Sequence, residues 1–216
     1  MPDLSFQVTG AAPVELAAVP TLGLTLVVKN SIPDEVIHSA ALRCQVQLEV
    51  TRRNYTPEEK KSLTDLFGEP GRWGQTLRPM LWTHAQATVP SFTASVSIEM
   101  QIPCTFDFNI AATKYFYGLE EGDVPLCLMF SGTIYQIDEA GAMLVSPVPW
   151  DREARYRLPV QAWRDMMDEY YPNTAWMCLQ RDMFDRLYQY KVQHGIATWE
   201  LAFDRLLREG RKVATA

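Results

Sequence analysis

The sequence predicts an α+β protein, in which an antiparallel β-sandwich or curved sheet carries an inserted helix and a C-terminal three-helix appendage. Apolar and polar residues alternate with period two through most of residues 1–150, whereas helical spacing dominates residues 151–216. No strand–helix–strand rhythm interrupts the strand region, which favours antiparallel pairing. We therefore expect a β domain over 1–150 and a helical appendage over 151–216 that packs on it.

The first three predicted strands lie in residues 4–10, 21–30 and 40–52. The third has the longest alternation, with apolar side chains at positions 42, 44, 46, 48 and 50 and polar side chains between them. This pattern is typical of a strand with one buried face and one solvated face.

The inserted helix is predicted near residues 57–67. Thr56 can cap its first turn, Pro57 suits the first helical position, and Glu59 can complete a capping box. Gly68 follows the last apolar position and is expected to end the helix.

Strand patterns resume at residue 91 and are predicted to continue to residue 110. In this stretch Cys104, Phe106, Phe108 and Ile110 would share one apolar face. A hairpin across residues 138–141 is then expected to close the sheet.

Three helices are predicted after Pro159. The first ends at the sequence "YYPN", the second is capped by Asp182 and stops at His194, and the third is capped by Thr198. Helices this short bury an apolar stripe to become stable, so we expect them to pack against the sheet or a partner. The residues expected in that buried contact are Trp163, Phe184, Trp199 and Phe203.

Composition argues against several classes of partner. With 26 acidic and 20 basic residues the formal net charge is −6, which disfavours nucleic acid and anionic lipid surfaces. The N-terminus does not resemble a signal peptide, and no apolar stretch approaches the roughly 20 residues that cross a bilayer. We expect a cytoplasmic protein without a membrane span.

No catalytic set or cofactor motif can be identified in the sequence. The four cysteines are isolated from one another and lack zinc or iron–sulfur spacing, so buried free thiols and no metal or cofactor are expected. Among the three histidines, His84 is the best candidate for a pocket because it lies near Trp82 and a Gly- and Pro-rich connection that carries Trp73. We assign no catalytic residue.

Aromatic residues near the C-terminal part indicate a protein-binding surface. Tyr and Trp are enriched in the centres of protein interfaces. The candidates for partner binding are Trp150, Tyr170, Tyr171 and Trp176. A large aromatic core is the alternative explanation for the same residues.

Three stretches, "PCTFDFNIAATKYFYGLEEGDVPL", "VPWDREARYRLPVQAWRDMMDEYYPN" and "RDMFDRLYQYK", resemble an uncharacterised bacterial family encoded beside genes for high-affinity [NiFe] hydrogenases, chiefly in actinobacteria. The resemblance implies a hydrogenase subunit or maturation factor as partner and transfers no catalytic residue. A weaker similarity is to SecB-type export chaperones, through Phe6-Gln7-Val8 and through Phe184-Asp185-Arg186-Leu187 with Tyr190. The inserted helix, extra strands and third helix depart from that pattern.

The function predicted from the sequence is that of a non-catalytic cytoplasmic accessory protein that binds another protein, in assembly or function of a [NiFe] hydrogenase. Two alternatives stay open. One is a ligand-binding or enzymatic β-sandwich with a pocket near Trp82 and His84, and the other is a SecB-like chaperone. The oligomeric state is not predicted.

Overall fold

The computed structural model describes residues 2–32 and 34–214, with side chains through Arg211. Met1 and residues 215–216, the ends of the two predicted parts, lie outside the described residues. The strands are β1 (Leu4–Pro13), β2 (Thr21–Asn30), β3 (Ser39–Leu48), β4 (Met80–Val89), β5 (Ser95–Pro103), β6 (Asp123–Ile137), β7 (Met143–Pro147) and β8 (Glu153–Pro159). The helices are α1 (Pro57–Ser62), α2 (Thr64–Phe67), α3 (Trp73–Thr76), α4 (Ile110–Tyr117), α5 (Val160–Tyr170), α6 (Arg181–Gln193) and α7 (Trp199–Ala214).

The strands form two antiparallel sheets. One has the order β1-β2-β5; the other has the order β4-β3-β6-β7, with β8 also paired to β6. Strand β4 lies beside β5 and β1 lies beside β8, so edges of the two sheets approach each other. Phe6 of β1 stacks on Phe130 of β6 with ring centroids 4.3 Å apart, which joins the sheets through the core. The predicted α+β class with antiparallel sheets is confirmed.

The alternation predicted for the first strands is present in the structure. Leu42, Cys44, Val46 and Leu48 of β3 are buried, while Arg43 between them is exposed. Burial of such an apolar row is the main source of stability for a sheet with one wet face.

The long strand β6 changes partners along its length. Residues 123–129 pair with β8 and residues 133–137 pair with β7. Gly132 lies between the two sets with φ +148°, and a Cβ there would come within 2.1 Å of the Ala41 carbonyl oxygen. Glycine is therefore required where β6 passes β3.

The predicted inserted helix is present as α1 followed by α2. The Thr56 side chain accepts a hydrogen bond from Glu59 N, and the Glu59 carboxylate accepts one from Thr56 N, which completes the capping box. Gly68 ends α2 with φ +73°, a conformation that favours glycine.

The predicted strand extending to Ile110 is wrong beyond Pro103. Asn109 caps α4, because its Oδ1 accepts from Ala112 N while its amide donates to the carbonyls of Leu81 and Trp82. These bonds favour a helix start over continued strand pairing. The expected apolar face is consequently split, with Phe106 buried and Phe108 exposed.

The helical part does not begin at residue 151. Strand β8 occupies residues 153–159 and pairs with β6, and α5 follows it directly. Helix α5 buries Trp163, Met166 and Met167. The chain divides into two compact units, 1–174 and 175–216, so only α6 and α7 belong to the second unit.

A buried ion pair fixes the inserted helix to the start of β6. Arg53 donates to Glu59 Oε1 at 2.6 Å, to the Glu121 carbonyl at 2.5 Å and to the Asp123 carbonyl at 2.6 Å. The side chains of Arg53 and Glu59 are 8% and 1% exposed. Both charges are thus removed from water and depend on each other.

The Glu59 carboxylate accepts hydrogen bonds from three residues in all, Arg53, Thr56 and Glu120. Burial raises its pKa, but hydrogen bonds from the backbone N–H groups of Glu120 and Thr56 and from Arg53 outweigh burial. The net result is a pKa below the ordinary value for glutamate, so the carboxylate is ionised at neutral pH.

The Glu59→Ala substitution is expected to lower the free energy of unfolding by about 3–5 kcal/mol, because it leaves the Arg53 charge buried without a partner. Denaturant unfolding at neutral pH measures this loss. Glu58→Ala, at an exposed position one residue earlier, is the control and should change the free energy by less than about 0.5 kcal/mol. Equal effects of the two substitutions would contradict the importance of the pair.

Because the folded pKa of Glu59 is lowered, its stabilising contribution is complete above the unfolded pKa, about 4.3, and is lost as pH falls through the folded pKa. The difference in unfolding free energy between the native protein and Glu59→Gln should therefore be largest near neutral pH and shrink in acid. Chemical unfolding curves across the acid range test this, and a constant difference would refute it.

Candidate interaction surface

The second unit contains a pair of helices, α6 and α7. Helix α6 ends at His194, and Gly195 follows with φ +59°. The Thr198 side chain accepts a hydrogen bond from Leu201 N at 3.3 Å, in agreement with its predicted capping role. Asp182 is not the cap of α6, because the helix begins one residue earlier with Gln180 at the N-cap position.

Aromatic and charged side chains join the two helices. Trp199 contacts Phe184 and Tyr188, with ring centroids 5.4 Å and 6.4 Å away. At the other end, Tyr190 donates to Glu209 at 3.1 Å, and Arg205 also binds Glu209, at 2.9 Å. The helices therefore make specific contacts within their own unit.

This helix pair buries very little apolar surface. Among the described side chains from Ala175 to Arg211, Ala202 is the one buried hydrophobic residue. Phe184, Tyr188 and Val192 are all exposed and follow one another at intervals of four along α6. We call these three residues the α6 stripe. Residues at this spacing lie on one face of a helix, so the stripe is an apolar row along α6.

The four residues expected in a buried helix contact differ in their exposure. Trp163 is buried in the first unit as predicted, but Phe184 is exposed, and Trp199 and Phe203 are only partly buried. The helical periodicity was visible in the sequence. Periodicity alone does not reveal how far such a face is covered.

The four predicted partner-binding residues occupy different settings. Tyr170 donates to the Ala17 carbonyl at 2.7 Å, and Tyr171 packs on Phe106 with ring centroids 4.5 Å apart, so both are partly buried in the first unit. Trp150 is 92% exposed in the first unit, and Trp176 is 40% exposed in the second. Two of the four predicted partner-binding residues, Tyr170 and Tyr171, therefore pack against the core.

The three predicted pocket residues also lie in different environments. Trp73 donates from Nε1 to the Gly68 carbonyl and lines a cleft of about 430 Å³ together with Arg53, Tyr55 and Lys60. Trp82 is buried against Phe116, with ring centroids 5.1 Å apart.

His84 lies on the exposed face of β4 instead. The register between β3 and β4 shifts at Val46/Gln47, opposite Trp82, which leaves one extra residue in β4. Such a bulge exchanges the faces on either side, so Trp82 points inward and His84 outward although they are two residues apart. Trp82 and His84, which were predicted to line one pocket, therefore face opposite sides of β4.

The buried thiols are poorly suited to nucleophilic chemistry. Burial raises the pKa of Cys44 and of Cys104 to about 12, so both remain protonated at neutral pH. Cys127 is also buried, whereas Cys178 is exposed, which corrects the expectation that all four are buried. In the described part of the chain, no group of three or more His, Cys, Asp or Glu side chains is placed to hold a metal ion.

Sequence reasoning missed Arg53, the residue that binds both the inserted helix and the turn before β6. Its position gave no signal, since its partners at 121 and 123 are about seventy residues away in the chain.

None of the described helices combines the length and apolar character that a bilayer crossing requires.

The fold and the exposed helix pair define an α+β protein with antiparallel sheets and a separate C-terminal helical unit. Its sequence matches, over residues 1–215, the model of a family described as "Family of unknown function (DUF6084)", and the chain belongs to this family. No curated protein matches the sequence.

Among solved structures, the chain is similar to a novel β-glucosidase from Paenibacillus barengoltzii, with 12% sequence identity and a TM-score of 0.28. The match covers 91% of this chain and 22% of the glucosidase chain. A TM-score this low does not indicate a shared fold, and no glucosidase chemistry follows from it.

The thiol environments predict a single fast-reacting cysteine. In the native protein Cys178 should react first with Ellman's reagent, while Cys44 and Cys104 should react only on unfolding, because burial keeps them protonated and inaccessible. Cys178→Ser should abolish the fast phase, and Cys127→Ser should preserve it. A fast phase that persists in Cys178→Ser would contradict this assignment.

Proposed function

We propose that this protein is a non-catalytic accessory protein that binds another protein through its C-terminal helix pair. The observation that carries the proposal is the α6 stripe, an exposed row of two aromatic residues and a valine. Among the side chains of this unit described through Arg211, one alanine is the buried hydrophobic residue. Helices of 13 and 16 residues gain most of their stability by covering an apolar face. A partner protein would supply that cover.

The chemistry of the stripe fits protein recognition. Tyrosine and phenylalanine add large apolar area with few rotatable bonds, and they are enriched in interface centres. Charged groups such as Asp185 and Lys191 flank the stripe on α6, which matches the usual arrangement of an apolar centre with a polar rim.

The proposed partner is a subunit or maturation factor of a [NiFe] hydrogenase. Support comes from the resemblance of three sequence stretches, including "RDMFDRLYQYK" in α6, to a family encoded beside such hydrogenases. The stretch that carries the resemblance thus overlaps the exposed stripe. The proposed compartment is the cytoplasm, since four free thiols suit a reducing environment.

Affinity purification from the native host tests the proposal. The tagged protein should recover a hydrogenase subunit or maturation factor, and Phe184→Ser combined with Tyr188→Ser should reduce recovery by roughly tenfold or more, because aromatic hot spots each contribute about 2 kcal/mol. Gln189→Ser, at an exposed polar position of the same helix, is the matched control and should bind normally.

Circular dichroism of the double variant must show native helix content for this comparison to report on binding. Recovery of the tagged protein without any hydrogenase protein would refute the proposed partner. Equal recovery by the double variant would remove the α6 stripe as the contact surface.

A further inference from the structure

The outer edge of β7 is open. In the described residues the only strand that pairs with β7 is β6, whereas β4 lies beside β5 and β1 beside β8. An open edge presents unpaired N–H and C=O groups on which another strand can add. Strand β7 belongs to the first unit, whereas the α6 stripe belongs to the second.

The side chains of this edge are unusually apolar. Residues 140–150 contain no charged side chain. Met143, Leu144 and Val145 are 60%, 50% and 61% exposed, which means that both faces of the strand are uncovered. Soluble proteins normally protect an edge with charges, proline or a bulge, and within β7 the only such device is Pro147 at its end.

The register identifies the free backbone groups. Asp138 N donates to the Ala142 carbonyl at 2.9 Å, and Val148 N donates to the Gly132 carbonyl at 3.0 Å. In an antiparallel ladder, alternate residues point their backbone groups to the same side. Even-numbered residues of β7 therefore bond to β6, and Met143 and Val145 direct their N–H and C=O groups outward.

We propose that β7 pairs antiparallel with β7 of a second copy of this chain, about a two-fold axis at Leu144. In this register Met143 faces the second copy's Val145 and Val145 faces the second copy's Met143. Each pair exchanges two hydrogen bonds, so the outward N–H and C=O groups of both residues are satisfied in both copies.

In this register the pairing stops at Pro147, where no further backbone N–H group is free to donate. Pro147 has no N–H and would face the second copy's Gly141, whose N–H already donates to the Asp138 carbonyl at 3.0 Å. Across the axis Met143 faces Val145 and Leu144 faces its own counterpart, all of them apolar, and the small polar Ser146 faces Ala142. This symmetric match of donors, acceptors and side chains is the reason to assign a second copy as the occupant.

Cysteine cross-linking tests the register directly. At the two-fold axis the Leu144 positions form a non-hydrogen-bonded pair with Cα atoms about 4.5 Å apart, within the range of roughly 4.4–6.8 Å that disulfides span. In a Cys178→Ser background, Leu144→Cys should give a covalent dimer under mild oxidation. Val145→Cys is the matched control and should not, because it faces Met143 of the second copy.

Analytical ultracentrifugation tests the assembly without cross-linking. The native protein should be a dimer, and Leu144→Lys should be a folded monomer because it places two like charges opposite each other at the axis. Val36→Lys, at another exposed apolar position, should remain dimeric.

Three results would overturn the proposal. The first is a native protein that stays monomeric at every concentration, which would leave the edge to a strand of another protein. The second is a dimer that Leu144→Lys does not dissociate. The third is a disulfide that forms at position 145 in preference to position 144.

Discussion

The placement of the inserted helices depends on one buried guanidinium. Arg53 joins the Glu59 carboxylate of α1 to the carbonyls of Glu121 and Asp123 at the start of β6. Desolvating both charges is costly, and the attraction between them offsets that cost only in a well-bonded geometry. Glu59 meets this condition by also accepting from two backbone N–H groups, at Thr56 and Glu120. Any displacement of α1 would leave one of the two charges buried without its partner.

The same arrangement explains why local sequence patterns predicted α1 but not its position in the fold. The Thr56–Glu59 capping box spans four residues, so its signal is contained in the local sequence. The bond from Glu120 N to Glu59 joins residues 61 positions apart. No periodicity reports such a contact, so the role of Arg53 could not be predicted from the local sequence.

The two largest errors of sequence reasoning have one cause, since both arise where the chain departs from regular pairing. The Asn109 cap replaces an expected strand with α4, and the bulge at Trp82 turns His84 away from the core. Alternation of apolar and polar residues predicted β3, whose pairing with β6 is regular along its whole length. A bulge or cap changes the direction of every following side chain, while the residue types themselves stay compatible with both directions.

The polar and ionisable side chains described in the interior have structural roles. The Tyr55 and Tyr115 hydroxyl groups bond to each other at 3.0 Å, and burial is the main cause that raises the pKa of both. Glu59 is held by Arg53 and by backbone donors, and the buried thiols of Cys44 and Cys104 stay protonated. Such groups stabilise the core and are not poised to exchange protons near neutral pH.

The two proposed binding surfaces use exposed groups instead, and they differ in kind. The α6 stripe offers side chains, so what it binds is decided by shape and apolar area. The β7 edge offers backbone donors and acceptors in a fixed register, so what it binds must be a strand. A dimer formed through β7 would contain two copies of the α6 stripe. A partner that engaged both copies at once would bind with higher apparent affinity without any new contact.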